Sequence, residues 1–192
     1  QRGFSDSSEP RTQYVYLNYA GGSNIAVAHS SPFDIAPFTI PKSSPAQVAT
    51  VRSAITARVA DLLHNYGFDV SESAPALETQ PRLTIYFDVE KLLMSAGIPD
   101  RNNNGNVGGA DPNDLFFWGM PDYIDPRDET LSGRAVVVVG AILDVPQYAA
   151  LADGQLGGAI GNSVLHQIGL MCGLRETIQE FFRSRRLRMK DE

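Results

Sequence analysis

The segment AVVVVGAIL, from Ala135 to Leu143, limits the choice of fold more than any other stretch of this chain. Its residues are apolar in succession, without the alternation of apolar and polar side chains that is typical of a strand with one face in water. A strand of this composition is buried on both faces, because other elements cover each side of its sheet. We therefore predict that Ala135 to Leu143 is one buried strand.

A long amphipathic helix is predicted to begin after Ser44. The Ser44 side chain can cap free backbone N–H groups, Pro45 suits the first helical position, and Gln47 can complete a capping box. The helix should extend to about Tyr66, and Gly67 should end it. Its apolar face, which should pack on the sheet, consists of Val48, Val51, Ile55, Val59, Leu62 and Leu63.

Three other segments are predicted to be strands, namely Tyr14 to Tyr19, Phe68 to Ser73 and Leu83 to Val89. The segment from Ile25 to Ile40 is apolar but contains two prolines, which exclude a helix and favour an edge strand or a loop.

Composition excludes several classes of protein. The chain has 192 residues, of which 43% are hydrophobic and 20% charged, so we expect one globular domain. Its net charge of -6 argues against a nucleic-acid partner, because affinity for phosphate comes largely from Lys and Arg.

The longest apolar run, Ala135 to Leu143, is far shorter than the roughly 20 residues that span a bilayer. We therefore predict no transmembrane segment.

The segment GGAIGNSVLHQIGLMCGLRE, from Gly157 to Glu176, has the spacing of a zinc-protease active-site helix. In the motif H-E-x-x-H-x-x-G-x-x-H, the His residues bind zinc and the Glu activates the attacking water. Only the first His and the Gly are retained in this chain. The corresponding residues are His166, Gln167, Leu170, Gly173 and Glu176.

The replaced positions lack the chemistry that hydrolysis requires. Gln167 is neutral at every pH and cannot act as a general base. Leu170 has no lone pair for a metal, and His166 with Glu176 falls short of the usual three protein ligands. We therefore expect no catalytic residues, no hydrolysis and no cofactor for catalysis. The alternative is an enzyme with a rearranged metal site, in which His29, His64 or an aspartate supplies a third ligand.

The chain resembles the metzincin or matrixin-like zinc metalloproteases of bacteria. The segment YVYLNYAGG, Tyr14 to Gly22, is similar to their first strand and glycine turn, and a long helix, two strands and the metal helix then follow in the same order. The resemblance implies a zincin-like α+β fold, with a twisted mixed sheet packed against a long helix and a degenerate active-site helix. It also implies an exported protein, periplasmic or secreted. We interpret Gln1 as the start either of a mature chain after signal removal or of a trimmed chain.

The segment DRNNNGNVGGAD resembles the dockerin type of calcium loop. Its candidate ligands are Asp100, Asn102, Asn104, Asn106 and Asp111. The alternative is a plain Asn/Gly loop in solvent.

Two segments are candidates for contacts with other molecules. The segment Asp114 to Tyr123 is rich in aromatic residues, which suit either core packing or a protein interface. The basic tail, residues 177–192, suits either packing on the acidic remainder of the chain or docking on an acidic partner or an anionic membrane surface. The candidate interaction residues are Phe116, Phe117, Trp118, Tyr123, Phe181, Phe182, Arg183, Arg185, Arg186 and Arg188.

The predicted organisation has three parts: an extended arm over residues 1–12, a zincin-like domain over 13–176 and a basic, helical tail over 177–192. We expect a catalytically inactive metalloprotease-like domain that acts as a structural or protein-binding subunit of a larger extracytoplasmic assembly. Its expected partners are other protein subunits, including those of a membrane-bound complex. The alternatives are the rearranged metalloenzyme and a calcium-stabilised adhesion or matrix module.

Overall fold

The computed structural model describes residues 13–28, 30–74, 82–95, 118–123 and 132–172. Within these ranges the chain forms seven strands and five α-helices, and a short 3₁₀ turn, His64–Tyr66, follows the first helix. In chain order the elements are β1 (Gln13–Asn18), β2 (Gly22–Ile25), β3 (Phe33–Ile35), α1 (Pro45–Leu63), β4 (Phe68–Ser71), β5 (Arg82–Phe87), α2 (Leu92–Ser95), β6 (Gly119–Pro121), β7 (Gly133–Val137), α3 (Val139–Leu143), α4 (Pro146–Ala149) and α5 (Asp153–Met171).

The main sheet has five strands in the order β4-β1-β5-β7-β6. The strand β1 pairs in parallel with β4 and with β5, and β5 pairs in parallel with β7. The edge strand β6 is antiparallel to β7. A separate antiparallel pair consists of β2 and β3. The mixed sheet and its helices make the fold α+β, as predicted from the sequence.

Each face of the main sheet is covered by a different layer. Ala135 and Val137 of β7 belong to the larger core cluster, which contains the buried residues of α1 and α5. Val136 and Val138 belong to a second cluster with residues of β2, β3 and α2. Successive side chains of a strand point to opposite faces, so this part of the chain is buried on both sides. The prediction of burial on both faces is confirmed for residues 135–138.

The prediction of one strand from Ala135 to Leu143 is wrong in its second half, because β7 ends at Val137 and α3 begins at Val139. The first turn of α3 is held against the end of β5 by Gly140, whose N–H donates a hydrogen bond to the Asp88 carbonyl oxygen at 3.2 Å. A Cβ on Gly140 would collide with the Val89 carbonyl oxygen. This contact with the turn after β5 directs the chain out of the sheet, and the apolar sequence gives no sign of it.

The helix α1 begins as predicted. The Gln47 N–H donates a hydrogen bond to Ser44 Oγ at 3.3 Å, and the Ser44 N–H donates one to Gln47 Oε1 at 2.9 Å, which completes the capping box. The buried face is formed by Val51, Ile55, Val59 and Leu63. Leu62 was predicted on that face but is 43% exposed, because it lies outside the row of buried residues that are spaced four apart along the helix.

The helices α1 and α5 pack closely through glycines of α5. A Cβ on Gly157 would lie 2.5 Å from the Ala54 Cβ and 2.6 Å from the Val51 carbonyl oxygen. One turn later, a Cβ on Gly161 would lie 3.0 Å from the Arg58 Cβ. Helices approach as closely as the side chains between them allow, so these two glycines bring α5 against α1.

The predicted arm, residues 1–12, and the predicted tail, residues 177–192, lie outside the described residues. None of the helices that the structure describes has both the length and the apolar composition needed to cross a membrane.

Candidate functional site

The last turns of α5 hold the described part of the zinc-protease spacing. His166, Gln167 and Leu170 belong to this helix. Gly173 and Glu176, the other two positions of the motif, lie outside the described residues.

Gln167 occupies the position that the motif reserves for the general base, and its side chain is buried with an exposed fraction of only 2%. The amide points to the edge strand β6, where a Cβ on Gly119 would lie 2.9 Å from Gln167 Cδ and Nε2. The Gln167 Oε1 atom is buried and has no hydrogen-bond partner among the described residues. A neutral amide is therefore packed inside the protein at this position.

His166 precedes Gln167 and is half-buried. Burial removes water from the imidazole and lowers the pKa of His166 below its ordinary value, because the charged form loses solvation. The neutral imidazole that results is also the form that binds metals. Leu170, one turn further along α5, is half-buried and presents only hydrocarbon.

Among the described residues, the other candidate ligands of a rearranged site do not form a metal-binding group of three with His166. His64 is exposed in the 3₁₀ turn after α1. His29 lies outside the described residues. In the part of the chain that the structure describes, no three His, Cys, Asp or Glu side chains form a group that could hold a metal ion.

Two of the predicted interaction residues, Trp118 and Tyr123, flank β6 and make contacts within the chain. The Trp118 ring meets the Tyr148 ring edge-on, with centroids 5.3 Å apart and planes at 88°, and it packs partly on the larger core cluster. The Tyr123 hydroxyl donates a hydrogen bond to the Ser132 carbonyl oxygen. These contacts place the side chains of Trp118 and Tyr123 against β7 and α4 rather than fully in solvent.

The other predicted site residues lie outside the described residues. They comprise the candidate calcium ligands Asp100, Asn102, Asn104, Asn106 and Asp111 and the candidate interaction residues Phe116, Phe117, Phe181, Phe182, Arg183, Arg185, Arg186 and Arg188.

Asp88 is a buried polar residue that the sequence analysis did not single out. It follows β5 directly, it is 1% exposed, and its Oδ2 accepts a hydrogen bond from the Leu93 N–H at 2.8 Å. The Asp88 Oδ1 atom has no partner among the described residues. An aspartate directly after an apolar strand is the sequence signal for this role, because its carboxylate can accept bonds from the backbone N–H groups of a following turn.

A polar network at the end of β1 was also missed. Glu72 accepts hydrogen bonds from Arg52 Nη2 at 2.9 Å and from Thr56 Oγ1 at 2.6 Å. The Arg52 guanidinium lies 4.5 Å above the centre of the Tyr19 ring, and the Tyr19 hydroxyl lies 3.2 Å from Thr56 Oγ1. Burial raises the pKa of Tyr19 well above its ordinary value, so its hydroxyl stays protonated. The network joins α1 to the ends of β1 and β4.

Two large apolar side chains are exposed among the described residues. Leu62, on the last turn of α1, is 43% exposed, and Tyr66, in the 3₁₀ turn that follows, is 72% exposed. They lie within five residues of one another at the end of the same helix.

Comparison of the chain with protein-family models, with curated proteins and with solved structures finds no match. The resemblance to the metzincins therefore stays a prediction from the spacing of the motif and the order of elements in the sequence.

Proposed function

We propose that this chain is a catalytically inactive, metalloprotease-like domain that serves as a structural or protein-binding subunit of an extracytoplasmic assembly. The observation that carries the proposal is the burial of Gln167. A general base must reach a water molecule and accept its proton, and a buried amide beside Gly119 does neither. The position contributes to packing between α5 and β6.

The neighbouring positions of α5 support the same function. His166 offers one imidazole, and Leu170, at the place of the second His, offers no donor atom. A catalytic zinc site normally has three protein ligands and an open position for water. One imidazole with an aliphatic neighbour provides too few donors to hold the ion, so the helix serves as scaffold.

The order of elements along the chain supports a zincin-like fold. The resemblance implies a first strand, a long helix, two further strands and then the metal helix. The corresponding elements are β1, α1, β4, β5 and α5. The mixed sheet packs against both helices through the larger core cluster.

The protein-binding role is supported by Leu62 and Tyr66. Exposed aromatic and aliphatic side chains that lie close together are typical of protein interfaces, where Tyr is enriched. Their position at the end of α1 leaves them free of the main core. We propose that other protein subunits contact the chain there.

Metal analysis and a peptide-cleavage assay on the purified full chain test the inactivity. We expect less than stoichiometric zinc and no cleavage. Stoichiometric zinc together with cleavage that is lost on His166→Ala would contradict the proposal and favour the rearranged metalloenzyme.

A variant with a restored motif tests the zincin-like fold separately from the proposed inactivity. Gln167→Glu combined with Leu170→His recreates the spacing of two His residues one turn apart, and we expect this variant to retain more zinc than the wild type. The matched control combines Gln167→Glu with Leu165→His, which adds the same residues at the wrong spacing. Equal zinc content in the two variants would contradict the zincin-like fold but not the proposal that the wild-type chain is catalytically inactive.

Purification of the native protein with its neighbours tests the binding role. We expect the subunits that accompany the wild-type chain to be lost when Leu62→Ser and Tyr66→Ser are combined. Ala57→Ser, at an exposed position earlier in α1, is the control and should retain them. Retention of the same subunits by the double variant would contradict binding at this surface.

A further inference from the structure

We draw no further inference here: the strongest candidate, the buried Asp88 carboxylate at the end of β5 with its unpartnered Oδ1, belongs to no group of three His, Cys, Asp or Glu side chains that could hold a metal ion among the described residues, so nothing defines what it would bind.

Discussion

Gly157 of α5 lies so close to Ala54 of α1 that a methyl group at position 157 would meet the Ala54 Cβ at 2.5 Å. The two helices are in contact there without any side chain from α5 between them. The same buried side of α5 continues to Gln167 and Met171.

Gly157→Ala should lower the free energy of unfolding by roughly 1–3 kcal/mol, since the added Cβ overpacks the contact with backbone and side-chain atoms of α1. Gly158→Ala is the matched control, because a Cβ on Gly158 meets nothing within 4 Å. It should raise the free energy of unfolding by about 0.5–1 kcal/mol through better helix propensity. Urea unfolding measures both variants. A stabilised Gly157→Ala protein would show that the helices are further apart than described.

Gln167→Glu should lower the free energy of unfolding at neutral pH by on the order of 3 kcal/mol, because it places an ionised group in a buried position without a partner. Gln167→Met keeps the volume and removes the unpartnered Oε1 atom, so it should be tolerated. Gln155→Glu is the control, since Gln155 is exposed in the first turn of the same helix. Thermal and urea unfolding compare the three. If Gln167→Glu proved as stable as Gln155→Glu, the amide would have to be in water.

Stability should depend on the titration of His166. Its pKa is lowered by burial, so at intermediate pH the unfolded chain binds a proton that the folded chain does not. The free energy of unfolding should therefore be highest above the ordinary histidine pKa of about 6.5 and should fall as the pH drops through the folded pKa. Urea unfolding over a pH series measures how steeply the free energy of unfolding changes with pH.

His166→Gln should remove this part of the slope. The same substitution at His64, which is exposed, is the control for effects of losing a histidine as such. The opposite result is a free energy of unfolding that rises on acidification in the wild type but not in His166→Gln. It would mean that folding raises the pKa of His166 instead of lowering it.

Asp88→Ala should lower the free energy of unfolding by about 1–3 kcal/mol, because the buried Leu93 N–H loses its acceptor. Asp88→Asn retains an oxygen acceptor and should lose less. The control is Asp144→Ala, which removes an exposed ion pair with Lys91 and should change stability by about 0–1 kcal/mol. Equal losses in Asp88→Ala and Asp88→Asn, measured by urea unfolding, would show that the charge matters more than the bond to Leu93.

The sequence predicted most of the elements but not their ends. The capping box at Ser44 identified the start of α1 because capping depends on residues three apart, which can be seen in the sequence. The end of β7 was missed because it depends on the contact of Gly140 with the turn after β5, fifty residues earlier in the chain. The exposure of Leu62 was missed for a related reason, since the width of the buried face depends on what packs against it.

The sequence by itself determined the chemistry of the candidate site, because an amide at position 167 and an alkyl side chain at position 170 lack a base and a ligand in any fold. It also determined burial on both sides of residues 135–138, through an unbroken apolar run. Only the tertiary structure decided that Gln167 faces Gly119 and that Gly157 meets Ala54, since these contacts join residues far apart in the chain. The spacing of residues along the chain determines which chemical groups the helix carries. Packing between elements that are distant in the sequence determines which of those groups are buried.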